Sequence, residues 1–189
     1  LSFDVHSVVI AGEGLLRQQV HELAARLRSE GYMDQEKKLP IPKLPEVIGI
    51  VTSGQGSVVH DMLRTLRARL PMARIVFASV PVEGDKAVSA MMKGLRAVYD
   101  AGAEVVLIGR GGGSLQDLMP FNDERLAITI SRCPIPVVAA VGHETDTTIA
   151  EMVSDLRAST PTGAAAAVSP DPGALENYLT QLKHRMDQA

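Results

Sequence analysis

The chain has 189 residues, is 46% hydrophobic and carries a formal net charge of −3. That is enough apolar material for one good-sized domain with extensions, and the charge excludes a uniformly basic nucleic-acid binder. No apolar run is long enough to span a membrane and no signal-peptide pattern is visible. Aromatic residues make up 3% with no Trp, so if the chain touches single-stranded nucleic acid, the surface that stacks its bases lies elsewhere. The single cysteine, Cys133, excludes an intrachain disulfide, fits a reducing, cytoplasmic compartment and reads as a buried thiol rather than a nucleophile. The chain starts at Leu1 in mid-pattern, which suggests a piece of a longer protein.

In chain order, Leu1, Phe3 and Val5 alternate with polar residues, so 1–10 reads as a strand, the last of a truncated upstream domain. The spacing predicts a helix over 13–30, stopped by Gly31, and a linker over 34–45 with three prolines. Strands are predicted at 47–51, 74–80, 104–108 and 135–141. Helices are predicted at 57–70 with Ser57 as cap, at 86–100 ended by Gly102, and at 122–131 with Asn122 or Asp123 as cap. A short helix starts near Thr148, where Thr148 and Glu151 form a capping-box pair. An alanine-rich stretch follows at 164–167, then a helix from about Pro172. Its Leu175, Leu179, Leu182, Met186 and Ala189 step as a heptad seam. Strands alternating with helices predict an α/β fold: an open, mainly parallel sheet with helices on both faces. The organisation expected is 1–10, the end of a truncated domain; 11–45, helix and linker; 46–170, the α/β domain; and 171–189, the start of a long helical segment.

The strand at 104–108 runs into Gly109-Arg110-Gly111-Gly112-Gly113-Ser114. Successive glycines let backbone N–H groups line an anion-binding concavity, and Arg110 adds a planar fork of donors suited to phosphate. A glycine-rich turn with a solvent-facing arginine is the plainer reading. Neither dinucleotide nor P-loop spacing is met. In open parallel sheets, ligands bind at the carboxyl ends of the strands. There the first strand delivers Ser53 and the Gly54/Gly56 turn, with His60 and Asp61 one helical turn on. The third delivers Arg110, Gly111, Gly112, Gly113 and Ser114. The fourth delivers His143, Glu144 and Asp146. Asp61 could serve only the helix dipole and Asp146 only a cap; His60 is taken as structural. The basic cluster Arg64, Arg67, Arg69 and Arg74 reads as a solvated face.

These groups suit phosphate-ester cleavage. Arg110 and the loop N–H groups can stabilise charge on the phosphoryl oxygens. His143 can move a proton, with Asp146 or Asp61 orienting the imidazole or the water. Two aspartates and a histidine could also hold a divalent ion, and the residues alone leave that open. A non-catalytic phosphate- or nucleotide-binding α/β domain is the second reading.

The runs GIVTSGQGSVVHD (49–61), VLIGRGGGSLQDLMPFNDE (106–124), PVVAAVGHETDTTIAE (136–151) and DLRASTPT (155–162) resemble the large subunits of bacterial exodeoxyribonuclease VII. AGEGLL (11–16) resembles the junction after that family's OB-fold domain. The resemblance implies a nuclease degrading single-stranded DNA from both ends to short oligonucleotides ending in 5′-phosphate, without a required divalent metal or other cofactor. It also implies several copies of a small subunit bound through the C-terminal helical part, and no membrane. Carried over by position, the implicated catalytic residues are Asp61, Arg110, His143 and Asp146, with Ser53, Gly111, Gly112, Gly113 and Ser114 as phosphate or DNA contacts. The chain departs from the family pattern at Gln116, Met119 and Ala166.

Overall fold

A computed structural model describes residues 11–141 and 147–187. The predicted first strand, and the sites expected at His143 and Asp146, lie outside the described residues. Helix α1 (Ala11–Ser29) leads by a short 3-10 turn (Gln35–Lys37) into a sheet built from β1 (Val47–Thr52), β2 (Arg74–Ser79), β3 (Val105–Gly109), β4 (Val137–Ala140) and β5 (Leu156–Arg157). Helices α2 (Ser57–Arg69), α3 (Ala87–Asp100), α5 (Glu124–Ser131) and α6 (Ile149–Val153) make the crossovers; α4 (Leu115–Leu118) precedes α5, and α7 (Pro161–Ala167) and α8 (Pro172–Asp187) follow β5. Every strand pairing is parallel and the order is β2-β1-β3-β4-β5.

Strand alternation sorts the apolar side chains into two layers. Ile48, Ile50, Val105, Leu107, Val138 and Ala140 face Val58, Met62 and Leu66 of α2 and Ala164 and Ala165 of α7. Val51, Val106, Ile108, Val137 and Ala139 face α3, α5, α6 and Leu27 of α1. Strands buried on both faces read as continuous apolar runs, the signal visible in 105–108. Helix α3 lies tight on β1 because a Cβ on Gly49 would meet Val98 at 3.0 Å, and one on Gly94 would meet Val51 at 3.0 Å.

Several expectations are corrected. Gly56, not Ser57, occupies the N-cap of α2, without a side-chain cap bond. The fourth strand is shorter than 135–141. The loop expected before Asn122 holds α4 and a 3-10 turn (Met119–Asn122), and the cap of α5 is Asp123, whose carboxylate accepts from Arg125 N. The alanine-rich stretch is helix α7, capped by Thr160. Strand β5 was not anticipated: two residues are too few to show a period. The stop at Gly31 is as expected, with φ +78° and Tyr32 N donating to the Leu27 carbonyl.

Candidate active site

From β1 the chain goes outward to β2, then returns past β1 to β3. The strand order therefore reverses between β1 and β3, and a crevice opens at their carboxyl ends. Thr52, buried at the end of β1, bridges it: its Oγ1 donates to the Gly109 carbonyl at 2.7 Å. Above that bridge lies a cavity of about 200 Å³ whose wall includes Ser53, Ser57, Glu83, Arg110 and Gly111.

Arg110 is the centre of this cavity. Its backbone N–H donates to the Ala140 carbonyl (3.2 Å), fixing it between β3 and β4. Its side chain is only 6% exposed. Nε donates to the Gly111 carbonyl (2.9 Å) and Nη2 to the Gly112 carbonyl (3.1 Å). The plainer reading, an arginine facing solvent, is therefore overturned. Nη1 is buried and has no hydrogen-bond partner among the described residues. A buried donor without an acceptor costs about 1–3 kcal/mol, more for a charged group, so an acceptor entering here is favoured.

The glycines act differently from the sequence expectation. None of Gly109 or Gly111–Gly113 takes a positive φ. Two are needed for space: a Cβ on Gly109 would meet the Ala140 carbonyl oxygen at 2.6 Å, and one on Gly113 would overlap Arg110 Nη2 and lie 2.9 Å from Asp117 Oδ2. The loop carbonyls grip the arginine, while the N–H groups of Gly111, Gly112 and Gly113 donate to no described residue. Ser114 caps α4 instead: its hydroxyl accepts from Asp117 N, and its own N–H donates to Asp117 Oδ2 at 2.8 Å. That N–H and the Ser114 hydroxyl hold the Asp117 carboxyl below the usual range. Ser114 is thus tied up in a capping box, which accounts for its position after the glycines.

Ser53 lines the cavity, and its Oγ accepts from Gln55 N at 3.2 Å. Asp61 is half-buried on α2, one turn beyond Ser57, and its carboxylate has no partner among the described residues. His60 is exposed. Within the basic cluster, Arg67, Arg69 and Arg74 donate to carbonyls at 73, 169 and 101, as a structural face would. Burial raises the Cys133 thiol, as expected of a sheltered cysteine.

The structure also adds residues that sequence reasoning passed over. Glu83, on the turn after β2, reaches Arg110 with Oε2 3.8 Å from Nη2, and Asp117 Oδ2 lies 3.9 Å from the same nitrogen. The only signal was position: that turn is also at the carboxyl rim. Glu151, read as a helix cap, does more. Oε2 accepts from Thr148 N (2.8 Å) and Thr148 Oγ1 (2.9 Å), while Oε1 accepts from Val141 N (3.3 Å). It ties the residues on either side of 142–146. A larger groove of about 540 Å³ runs along α1, but its charged wall carries Asp85, Asp123 and Glu124 beside Arg125, a poor seat for phosphate. Gln116 and Met119 line that groove, not the Arg110 cavity. No described helix is long and apolar enough to cross a membrane.

The chain is similar to known proteins over nearly its whole length. The exodeoxyribonuclease 7 large subunit of Legionella pneumophila, strain Paris, is 45% identical over 186 residues, covering 98% of this chain and 42% of that protein. The protein of the same name from Tolumonas auensis is 43% identical over 180 residues, 95% of this chain and 40% of its own length. The chain thus spans about 40% of the length of these curated relatives. The sequence model described as "Exonuclease VII, large subunit" matches residues 32–189, and the chain belongs to that family.

Proposed function

We propose that this chain is the phosphodiester-cleaving part of a nuclease that degrades single-stranded DNA from both ends to short oligonucleotides ending in 5′-phosphate. The observation that carries it is the buried Arg110 guanidinium, with Nη1 unpartnered among the described residues, in the wall of the switch-point cavity. In this reading the phosphate oxygens accept from Nη1 and from the N–H of Gly111, with Ser53 also in the cavity wall and Gly112, Gly113 and Ser114 expected to meet the strand further along. Fixed donors aimed at oxygens that gather charge lower the barrier most. Water adds its oxygen to phosphorus, and the bridging oxygen leaves with a proton. His143 serves that proton transfer, since an imidazole titrates near neutral pH. Asp61 and Asp146 orient the water or the imidazole. No divalent metal is invoked.

The same reading gives the chain a small-subunit partner, as the relatives' name "large subunit" supports. We place that contact in the helical part at 171–189; in the same reading 46–170 is the α/β catalytic unit, 11–45 a helix and linker, and 1–10 the end of an OB-fold domain. The assembly works in the cytoplasm.

The test is the complete large subunit with its small subunit, assayed on single-stranded DNA with and without chelator. Arg110→Ala and His143→Ala are each expected to lower kcat about a hundredfold or more. Cleavage at the unaltered rate by either variant would sink the assignment, and loss of activity on chelation would sink the metal-independent mechanism.

A further inference from the structure

Glu83 is the one acidic side chain in the described wall of the Arg110 cavity. Its place is set locally: Val82 is buried on one side and Gly84 turns with φ +79° on the other. The carboxylate is 64% exposed and 3.8 Å from Arg110 Nη2, too long for a hydrogen bond. Two carbonyls already hold the guanidinium, so Glu83 is not needed to keep Arg110 in position. With one partner exposed and the distance too long for a hydrogen bond, the pair adds little stability. Its more consequential effect falls on whatever anion enters beside it.

We propose that Glu83 discriminates by phosphate charge, admitting the singly charged diester and expelling the doubly charged monoester that cleavage leaves behind. The inference rests on the cavity holding the scissile phosphate. Hydrolysis adds a water oxygen to that phosphate and removes one ester link, so a group with one negative charge becomes one with nearly two at neutral pH. Arg110 attracts both forms; without an opposing charge it would hold the product more tightly than the substrate. A carboxylate at the mouth repels the product about twice as strongly. Glu83 thereby works against product inhibition in an enzyme that must cut repeatedly. Asp117 flanks the guanidinium from the α4 side, outside the described cavity wall, so Glu83 is the carboxylate that an entering phosphate meets in that wall.

The experiment uses the complete assembly carrying Glu83→Gln, with Glu83→Asp as the charge-conserving variant. Two inhibitors are compared: a short 5′-phosphorylated oligonucleotide and the same oligonucleotide with a 5′-hydroxyl. An exposed charge contact is worth a factor of about three in an equilibrium constant, and two charges square it to about ten. Glu83→Gln is therefore expected to lower KM for single-stranded DNA about threefold and the inhibition constant of the phosphorylated product about tenfold. The hydroxyl form should move no more than the substrate does, and Glu83→Asp should stay near the parent. Equal shifts for both inhibitors, no shift at all, or a collapse of kcat would each overturn the proposal. If Arg110→Ala abolishes cleavage while Glu83→Gln moves nothing, only this inference fails; if Arg110→Ala cuts normally, the phosphate reading beneath it fails.

Discussion

Gly109 and Gly113 are both short of space, but against different neighbours, and this separates stability from function. A methyl at Gly109 meets the backbone carbonyl of Ala140 at 2.6 Å. That atom belongs to the β3–β4 ladder, where Gly109 pairs with Ala140, so the strands must part. Gly109→Ala is expected to destabilise by about 1–3 kcal/mol, as overpacking in a fitted core does. A methyl at Gly113 instead meets the far end of Arg110, which can swing away. Gly113→Ala should spare most of the stability and weaken phosphate binding about tenfold, because the displaced guanidinium loses its fit to the cavity. Urea unfolding and KM for single-stranded DNA, measured on both variants, check the contrast. Gly111, whose added Cβ would sit 3.5 Å from Val58 in ordinary contact, is the control. Equal stability losses with unchanged KM would show that the loop does not shape the site.

Elements rather than residues decide where the sequence was readable. The runs at 47–52 and 105–109 are apolar because both faces are covered, and the spacing of α2, α3 and α5 reports one buried stripe each. Short elements escaped: α4 has four residues and β5 two, about one period each, so no pattern repeats. Of the site, Arg110 and Ser53 were legible from strand ends, as loops at one rim must be. The direction of the glycine loop was not, because whether N–H or C=O faces an arginine depends on packing against Ala140 and Asp117. Glu151 shows the same limit. Thr148-x-x-Glu151 announced a cap, but the bond from Val141 N is a tertiary fact. The Glu151 side chain is fully buried and accepts from residues on both sides of 142–146, the segment that holds His143 and Asp146. Glu151→Gln replaces an acceptor by a donor among those N–H groups, at a cost of about 1–3 kcal/mol. If Glu151 positions that segment, kcat should fall about tenfold with KM little changed. Reduced stability with kcat intact would mark Glu151 as a structural cap alone.

For the molecule as a whole, the question is how much of a DNA strand this chain can hold. A cavity of about 200 Å³ is below the roughly 300 Å³ at which sites begin to enclose whole small molecules. It suits a phosphate and the edge of its sugar, leaving the bases outside. Base stacking on aromatic side chains contributes about 1–3 kcal/mol per base in proteins that hold single strands. Here aromatics are 3% of the sequence, and the net charge of −3 offers no compensating general attraction. Under the function proposed above, grip on the strand is therefore expected from outside these 189 residues; the curated relatives are more than twice as long. Losing two stacked bases corresponds to about a hundredfold or more in affinity. The isolated 189-residue chain is therefore expected to cleave single-stranded DNA at less than about a hundredth of the kcat/KM of the complete assembly. The deficit should lie mainly in KM, because the Arg110 cavity itself is built within this chain. Robust degradation by the purified chain alone would mean that strand grip resides here after all.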